Sequence, residues 1–221
     1  IEHGHEVTMV CGSYNAGNTG LTKPFINGQR RGKVAKVNVI EFELDYSNSQ
    51  SFIRRTITFI RFAYLSIRLA LTQKYDVAFA TSTPLTAALP GIMARWLRKK
   101  HFIFEVRDLW PELPKAMGVI SNPIIISILT MLEWLAYKSA HGHIALSPGI
   151  ASGIKKHLPA DKEVAIIPNG CDLDIFANSQ EVWQPDAIKD SDFVALFAGH
   201  VRDLDSQMVD AHLIFDIYRW G

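Results

Sequence analysis

His101-Phe102-Ile103-Phe104-Glu105-Val106 runs without a break into Arg107-Asp108-Leu109-Trp110-Pro111-Glu112. The first six residues form a compact apolar run, with the length and the Phe, Ile and Val content of a strand buried on both faces of a parallel sheet. The next six place acids, an arginine and a tryptophan at that strand's carboxyl end. Similar runs recur at Val7–Cys11, Val34–Phe42, Asp76–Ala80, His143–Leu146, Glu163–Ile167 and Phe193–Phe197. Between them lie helical patterns: Ser51–Gln73, Leu85–Lys99, Asn122–Ala140, Pro148–His157 and a last one near Ser206–Tyr218. Ser82-Thr83-Pro84 opens the second, and Ser147 is a natural N-cap for the fourth. Strand and helix alternating at this spacing predict an α/β fold, a Rossmann-like doubly wound parallel sheet.

The pattern divides the 221 residues in three. Residues 1–170 read as a Rossmann-like domain lacking its first strand, and residues 171–192, rich in Asp, Asn, Ser and Pro, as a linker. Residues 193–221 read as the first βα unit of a second Rossmann-like domain, so a chain truncated at both ends is expected. It opens on Ile1-Glu2-His3-Gly4-His5, with no signal-peptide n-region. No window reaches the ~18 uninterrupted apolar residues that span a bilayer. Ala116–Leu132 comes nearest and is broken by Ser121, Asn122, Pro123, Ser127 and Thr130, which leaves lying on a membrane open.

A composition of 48% hydrophobic and 20% charged residues excludes a disordered tail or a collagen-like repeat. Two cysteines, Cys11 and Cys171, make no disulfide framework, so a reducing compartment is expected. The net charge of +1 conceals an asymmetry: residues 1–104 hold 14 basic and 6 acidic side chains, whereas residues 105–221 hold 9 and 16. A basic half suggests a face turned toward an anion, such as a membrane surface, a lipid phosphate or nucleic acid. Two solvated surfaces that merely differ explain the numbers equally well. Ser51–Gln73 contains Arg54, Arg55, Arg61 and Arg68 and no acid. It suits a membrane-surface helix or a core helix whose arginines reach solvent along one side.

Ligands of open α/β sheets bind outside the carboxyl ends of the strands, which puts 107–112 at a site. Asp108 is a candidate base or acceptor-hydroxyl contact, Arg107 an anion contact, and Trp110 a sugar-stacking or lipid-facing plate. The alternative is an Arg107–Asp108 ion pair with Trp110 in the core. Pro168-Asn169-Gly170-Cys171-Asp172 follows another strand, and Asn-Gly predicts a tight turn with positive φ. Gly199 and Arg202, after Phe193–Phe197, suit a phosphate contact. The histidines form no H-x-x-H pair and Ser147 sits in no G-x-S-x-G frame, which disfavours metal binding and a hydrolase elbow.

Gly4-His5-Glu6-Val7-Thr8, Ser82-Thr83-Pro84, the block Glu105 to Glu112, Leu146-Ser147-Pro148-Gly149 and Ile167-Pro168-Asn169-Gly170-Cys171-Asp172 occur in that order. The series resembles the group-1 (family 4) retaining glycosyltransferases of GT-B fold, and most of all the bacterial O-antigen and capsule amino-sugar transferases of fucosamine-transferase type. The resemblance implies a nucleotide-sugar donor of the UDP-N-acetylhexosamine kind as co-substrate, with no cofactor and no metal. It implies an acceptor glycan on polyprenyl diphosphate, and residence on the cytoplasmic, inner face of the bacterial plasma membrane, against anionic lipid. It assigns Asp108, Arg107 and Glu112 to catalysis and Trp110, Ser82 and Thr83 to the acceptor. Ser147, Asn169, Gly170 and Asp172 fall on the interdomain, donor side, and Gly199 and Arg202 at the diphosphate. The N-terminal domain would hold the acceptor and the C-terminal one the nucleotide. Arg202-Asp203-Leu204-Asp205-Ser206 departs from the family's pattern after Gly199, and the family's donor-holding glutamate pair is not met, so the 221 residues alone are expected to be inactive. A non-catalytic, membrane-peripheral binding module derived from such an enzyme is the competing expectation. Nucleic acid is not expected as a partner, because no nucleic-acid motif accompanies the basic half.

Overall fold

The computed structural model describes residues 3–14, 19–47, 50–116, 118 and 120–170. The chain divides into two compact units at Asn169–Gly170. The expected linker and the expected strand and helix beyond it, from residue 171 onward, lie outside the described residues.

The first unit holds two sheets. In one, β1 (Thr8–Tyr14) runs parallel to β3 (Val37–Tyr46), and β2 (Gln29–Val34) lies antiparallel on β3's other edge. The expected single strand Val34–Phe42 is therefore a hairpin. Its turn residues Ala35 and Lys36 both have positive φ, 45° and 70°, the geometry of a tight hairpin usually marked by Asn or Gly. Neither is present, which is why the turn left no trace in the sequence. Across this hairpin Arg30 faces Glu41 and binds it through two nitrogens at 2.9 Å, while Thr19 donates to the same carboxylate. Burial would raise the Glu41 pKa, but these donors outweigh it and hold the carboxyl below its usual range.

The second sheet is all parallel, in the order β4 (Val77–Thr81), β5 (His101–Val106), β6 (Gly142–Ala145), β7 (Val164–Ile166). A Leu85–Ala87 3₁₀ turn leads into α2 (Ala88–Arg98), which connects β4 to β5. The short α3 (Glu112–Ala116) and α4 (Pro123–Ser139) connect β5 to β6, and α5 (Pro148–Lys155) connects β6 to β7. Ahead of β4, α1 (Phe52–Thr72) packs on α2. The four long helices fall where their patterns predict; α3, five residues including Pro114, carried no periodic signal. Caps set the starts: the Asn122 side chain accepts from the Ile124 and Ile125 amides, with Pro123 in the first turn.

Crossovers that are right-handed and all step one way put their helices on one sheet face. Phe102, Phe104 and Val106 of β5 point into that face and pack with Ala88, Ile92, Ala136, Tyr137 and Ile154. The opposite face is only partly covered: Ile103 and Glu105 of β5 and Ile144 of β6 are half-buried, while Phe79 on β4 is 59% exposed. The expectation of strands buried on both faces thus fails among the described residues. Among the described residues β1 and β4 each keep one unpaired edge, and both border a cavity of about 1900 Å³.

Under α4 lies a polar pair. Tyr137 donates to Glu133 at 2.9 Å, and Glu133 is only 2% exposed. Burial pushes the Glu133 carboxyl up to about 7, with Tyr137 opposing and the Glu112 charge adding. Between pH 4.5 and 7 the folded chain therefore keeps a proton that the unfolded chain has released, so stability falls as pH rises through this window. Relative to Glu133→Gln, the wild type should lose on the order of 2 kcal/mol between pH 5 and 8, read from urea melts at several pH values. Nearby His143, whose pKa burial lowers, pulls the other way at acid pH but is common to both proteins. Stability curves that run parallel would overturn this reading.

Candidate active site

Strand register sets up the site. Thr81 pairs with Glu105, Val106 with Ala145, and Ala145 with Ile166, so the four strands end nearly level. The residues that follow, Ser82-Thr83, Arg107-Asp108, Leu146-Ser147 and Ile167 to Asn169, leave the sheet along one carboxyl edge, where open parallel sheets place their ligands.

Ser82 anchors this edge. It is buried, its amide donates to the Glu105 carbonyl at 2.9 Å, and its hydroxyl accepts from the Arg107 amide at 2.9 Å and the Asp108 amide at 3.4 Å. The backbone entering the 107–112 loop is thereby held to the end of β4. Ser82 thus positions the loop, and the acceptor contact expected of it is indirect. Its neighbour Thr83 donates to Asp108 Oδ2 at 3.2 Å. Asp108 is half-buried, and its Oδ1 has no hydrogen-bond partner among the described residues.

Arg107 is exposed. Its Nη1 lies 3.9 Å from Glu105 Oε2, and its Nη2 donates to Asn169 Oδ1 at 3.4 Å. The alternative ion pair with Asp108 does not form. At such distances Arg107 is loosely held, which leaves its charge available to an anion.

Trp110 divides the two expectations for it. The ring packs against the core cluster and also borders the cavity that Thr81, Thr83 and Pro84 line. Its indole N–H is buried without a protein acceptor, and so is the nearby Thr81 hydroxyl. A buried donor without a partner is costly; both atoms are also closed to solvent, so a ligand's polar group would reach them only if neighbouring side chains moved. Thr81 was not among the sequence candidates; its only signal is its place at the last position of a strand. Between Asp108 and Trp110, Leu109 is clamped by α5, where a Cβ on Gly153 would come within 2.5–2.8 Å of both Leu109 δ-carbons. Glu112 is exposed in the first turn of α3, without a hydrogen bond to the edge residues.

Ser147 caps α5, its hydroxyl accepting from the Ile150 amide at 3.3 Å, so the sequence's cap reading holds here. Asn169 and Gly170 are exposed, and neither has the positive φ that Asn-Gly predicts; the residues that would close a turn lie outside the described ones. Asp172, Gly199 and Arg202 lie outside the described residues. Among the described residues no three His, Cys, Asp or Glu side chains converge as metal ligands. Burial, with Glu41 adding and Arg30 opposing, pushes the Cys11 thiol up to about 11, so it is no nucleophile at neutral pH.

The edge thus offers a half-buried carboxylate braced by a hydroxyl, a loosely held guanidinium and two unsatisfied donors. That set can orient a hydroxylated ligand, take a proton from it and face an anion. No curated protein matches the chain. A family model described as Glycosyltransferase Family 4 matches residues 1–175, over half of its length. The chain therefore belongs to glycosyltransferase family 4.

Proposed function

We propose that this glycosyltransferase is retaining and moves an N-acetylated amino sugar from a UDP-linked donor to a glycan carried on polyprenyl diphosphate. The setting is bacterial O-antigen or capsule synthesis at the cytoplasmic face of the plasma membrane. Residues 1–170 bind the acceptor, and residues 193–221, with Gly199 and Arg202, contact the donor diphosphate. One observation carries the acceptor assignment: Asp108, its Oδ1 without a hydrogen-bond partner among the described residues, stands on the carboxyl edge braced by Thr83, which lines the cavity that Thr81 and Trp110 also border. Asp108 accepts the proton of the acceptor hydroxyl. That oxygen bonds to the donor's anomeric carbon on the same face from which the diphosphate departs, so the configuration is retained; the bond to the diphosphate breaks, and the nucleoside diphosphate leaves with the electron pair. Arg107 faces the anionic charge that develops.

The test has two readouts. Radiolabel from UDP-N-acetylglucosamine should move into an organic-extractable undecaprenyl-diphosphate glycan when a full-length relative carrying this domain is supplied, and not with the 221 residues alone. A short-chain polyprenyl-diphosphate sugar should give saturation-transfer NMR signals that Trp110→Ala weakens. Acceptor binding without transfer by the full-length relative would favour a non-catalytic binding module, and neither binding nor transfer there would overturn the proposal.

A further inference from the structure

We infer that the outward faces of α1 and α4, with the end of α2, form one surface that lies on an anionic lipid bilayer; this rests on the lipid-linked acceptor proposed above. α2 packs against both α1 and α4, so the three form a layer. Along α1, Ile53, Ile57, Ile60 and Tyr64 are all exposed, Ile53 by 71%. Their spacing of four, three and four residues makes one helical stripe. Arg54, Arg61 and Arg68, also exposed, border it. Along α4, Ile124, Ile128, Met131 and Trp134 repeat the pattern, with Ile124 69% exposed. Lys138 sits 4.7 Å over the Trp134 ring. α2 adds exposed Trp96 and Leu97.

The acids decide the occupant. α1 and α2 contain none, and the only one in α4 is Glu133, which is buried. An apolar area of this extent rarely faces water. Bordered by cations and aromatics and empty of exposed carboxylates, it matches an anionic headgroup layer over acyl chains. Nucleic acid would use the arginines but leave the isoleucines in water. A protein partner would have to be acidic and apolar at once. Among the described residues no helix is long and apolar enough to cross a membrane, so the helices lie along the surface.

The surface also reaches the active site. Both α1 and α4 pack against the Leu85–Ala87 turn, which follows Ser82 and Thr83 almost directly. Those contacts tie the layer to the element that carries the edge, with Leu85 buried beneath the helices.

The protein should co-sediment with vesicles of phosphatidylcholine and phosphatidylglycerol, and at least about tenfold less with phosphatidylcholine alone. Replacing Arg54, Arg61 and Arg68 together by Gln should lower partitioning by about tenfold or more, with circular dichroism unchanged because all three are exposed. Brominated lipid should quench tryptophan fluorescence, less so in Trp134→Phe. Equal binding to both vesicle types, no binding, or an unaffected arginine triple variant would overturn the inference. So would a lipid-free dimer in sedimentation that Ile53→Ser with Ile57→Ser abolishes, since a second copy would then be the occupant. Vesicle binding involves no sugar chemistry, so its failure would leave transfer to a short-chain acceptor untouched, and the two readings fail separately.

Discussion

Gly91→Val is expected to unfold the domain at room temperature or leave it marginal. Gly91 lies inside α2, where glycine costs a helix roughly 1 kcal/mol relative to alanine. The Phe102 ring of β5 occupies the space that a Cβ would need, in contact with the α2 backbone. Phe102 is fully buried between Ala88, Ile92 and its neighbours on β5, so it has nowhere to turn. Overpacking of a tight core typically costs 1–3 kcal/mol, and a branched side chain against a trapped aromatic should stand at or beyond the upper end. Stabilities of small domains are about 5–15 kcal/mol. We expect a loss of roughly 3–5 kcal/mol by urea denaturation, and partial rescue by Phe102→Leu, which frees the volume. A melt within 1 kcal/mol of wild type would mean that the helix stands farther from the sheet than described.

Asp108→Asn should cut the rate of sugar transfer by ~10² or more, in any preparation that turns over, with acceptor affinity little changed. The substitution is isosteric and preserves the acceptance from Thr83 at 3.2 Å, while removing the capacity to take a proton. Because Ser82 and Leu109 hold the loop on either side, the backbone should not move, and a lost rate would report chemistry rather than folding. Thr83→Val should cost less, since it only frees one carboxylate oxygen. Equal turnover in wild type and Asp108→Asn would leave Asp108 a structural member of the edge. A rise in the acceptor KM at constant kcat would make it a binding contact alone.

Much of the fold was legible because its signals are local. The five-to-six-residue apolar runs at β4 and β5, the helical periods of α1, α2 and α4, and the Ser147 cap each arise from neighbours in sequence, whereas Ser82-Thr83 caps no helix. These elements stand in the structure within a residue or two of where they were read, except that α2 starts three residues after Leu85, behind the 3₁₀ turn. The β2–β3 hairpin was missed because Ala35 and Lys36 carry the positive φ that Asn or Gly would have announced. The Asn169-Gly170 dipeptide errs the other way, a signal for positive φ at two residues that have none.

The site divides in the same manner. That Arg107 and Asp108 stand at a strand's carboxyl end follows from a short run of sequence, and the order of the motifs points to the family. Partnership does not follow, since a hydrogen bond joins residues that only register and crossover bring together. Sequence neighbours suggested an Arg107–Asp108 pair, but Arg107 leans on Glu105 and Asn169, and Asp108 is braced by Thr83, 25 residues earlier. The sequence by itself determined the alternation of elements, the acid-free helices and the chemistry available at the strand ends, because these depend on composition and short-range spacing. Only the tertiary structure decided which sheet face is covered, which side chains are paired, and that the exposed stripes of α1 and α4 belong to one layer. Each of these depends on contacts between residues far apart along the chain.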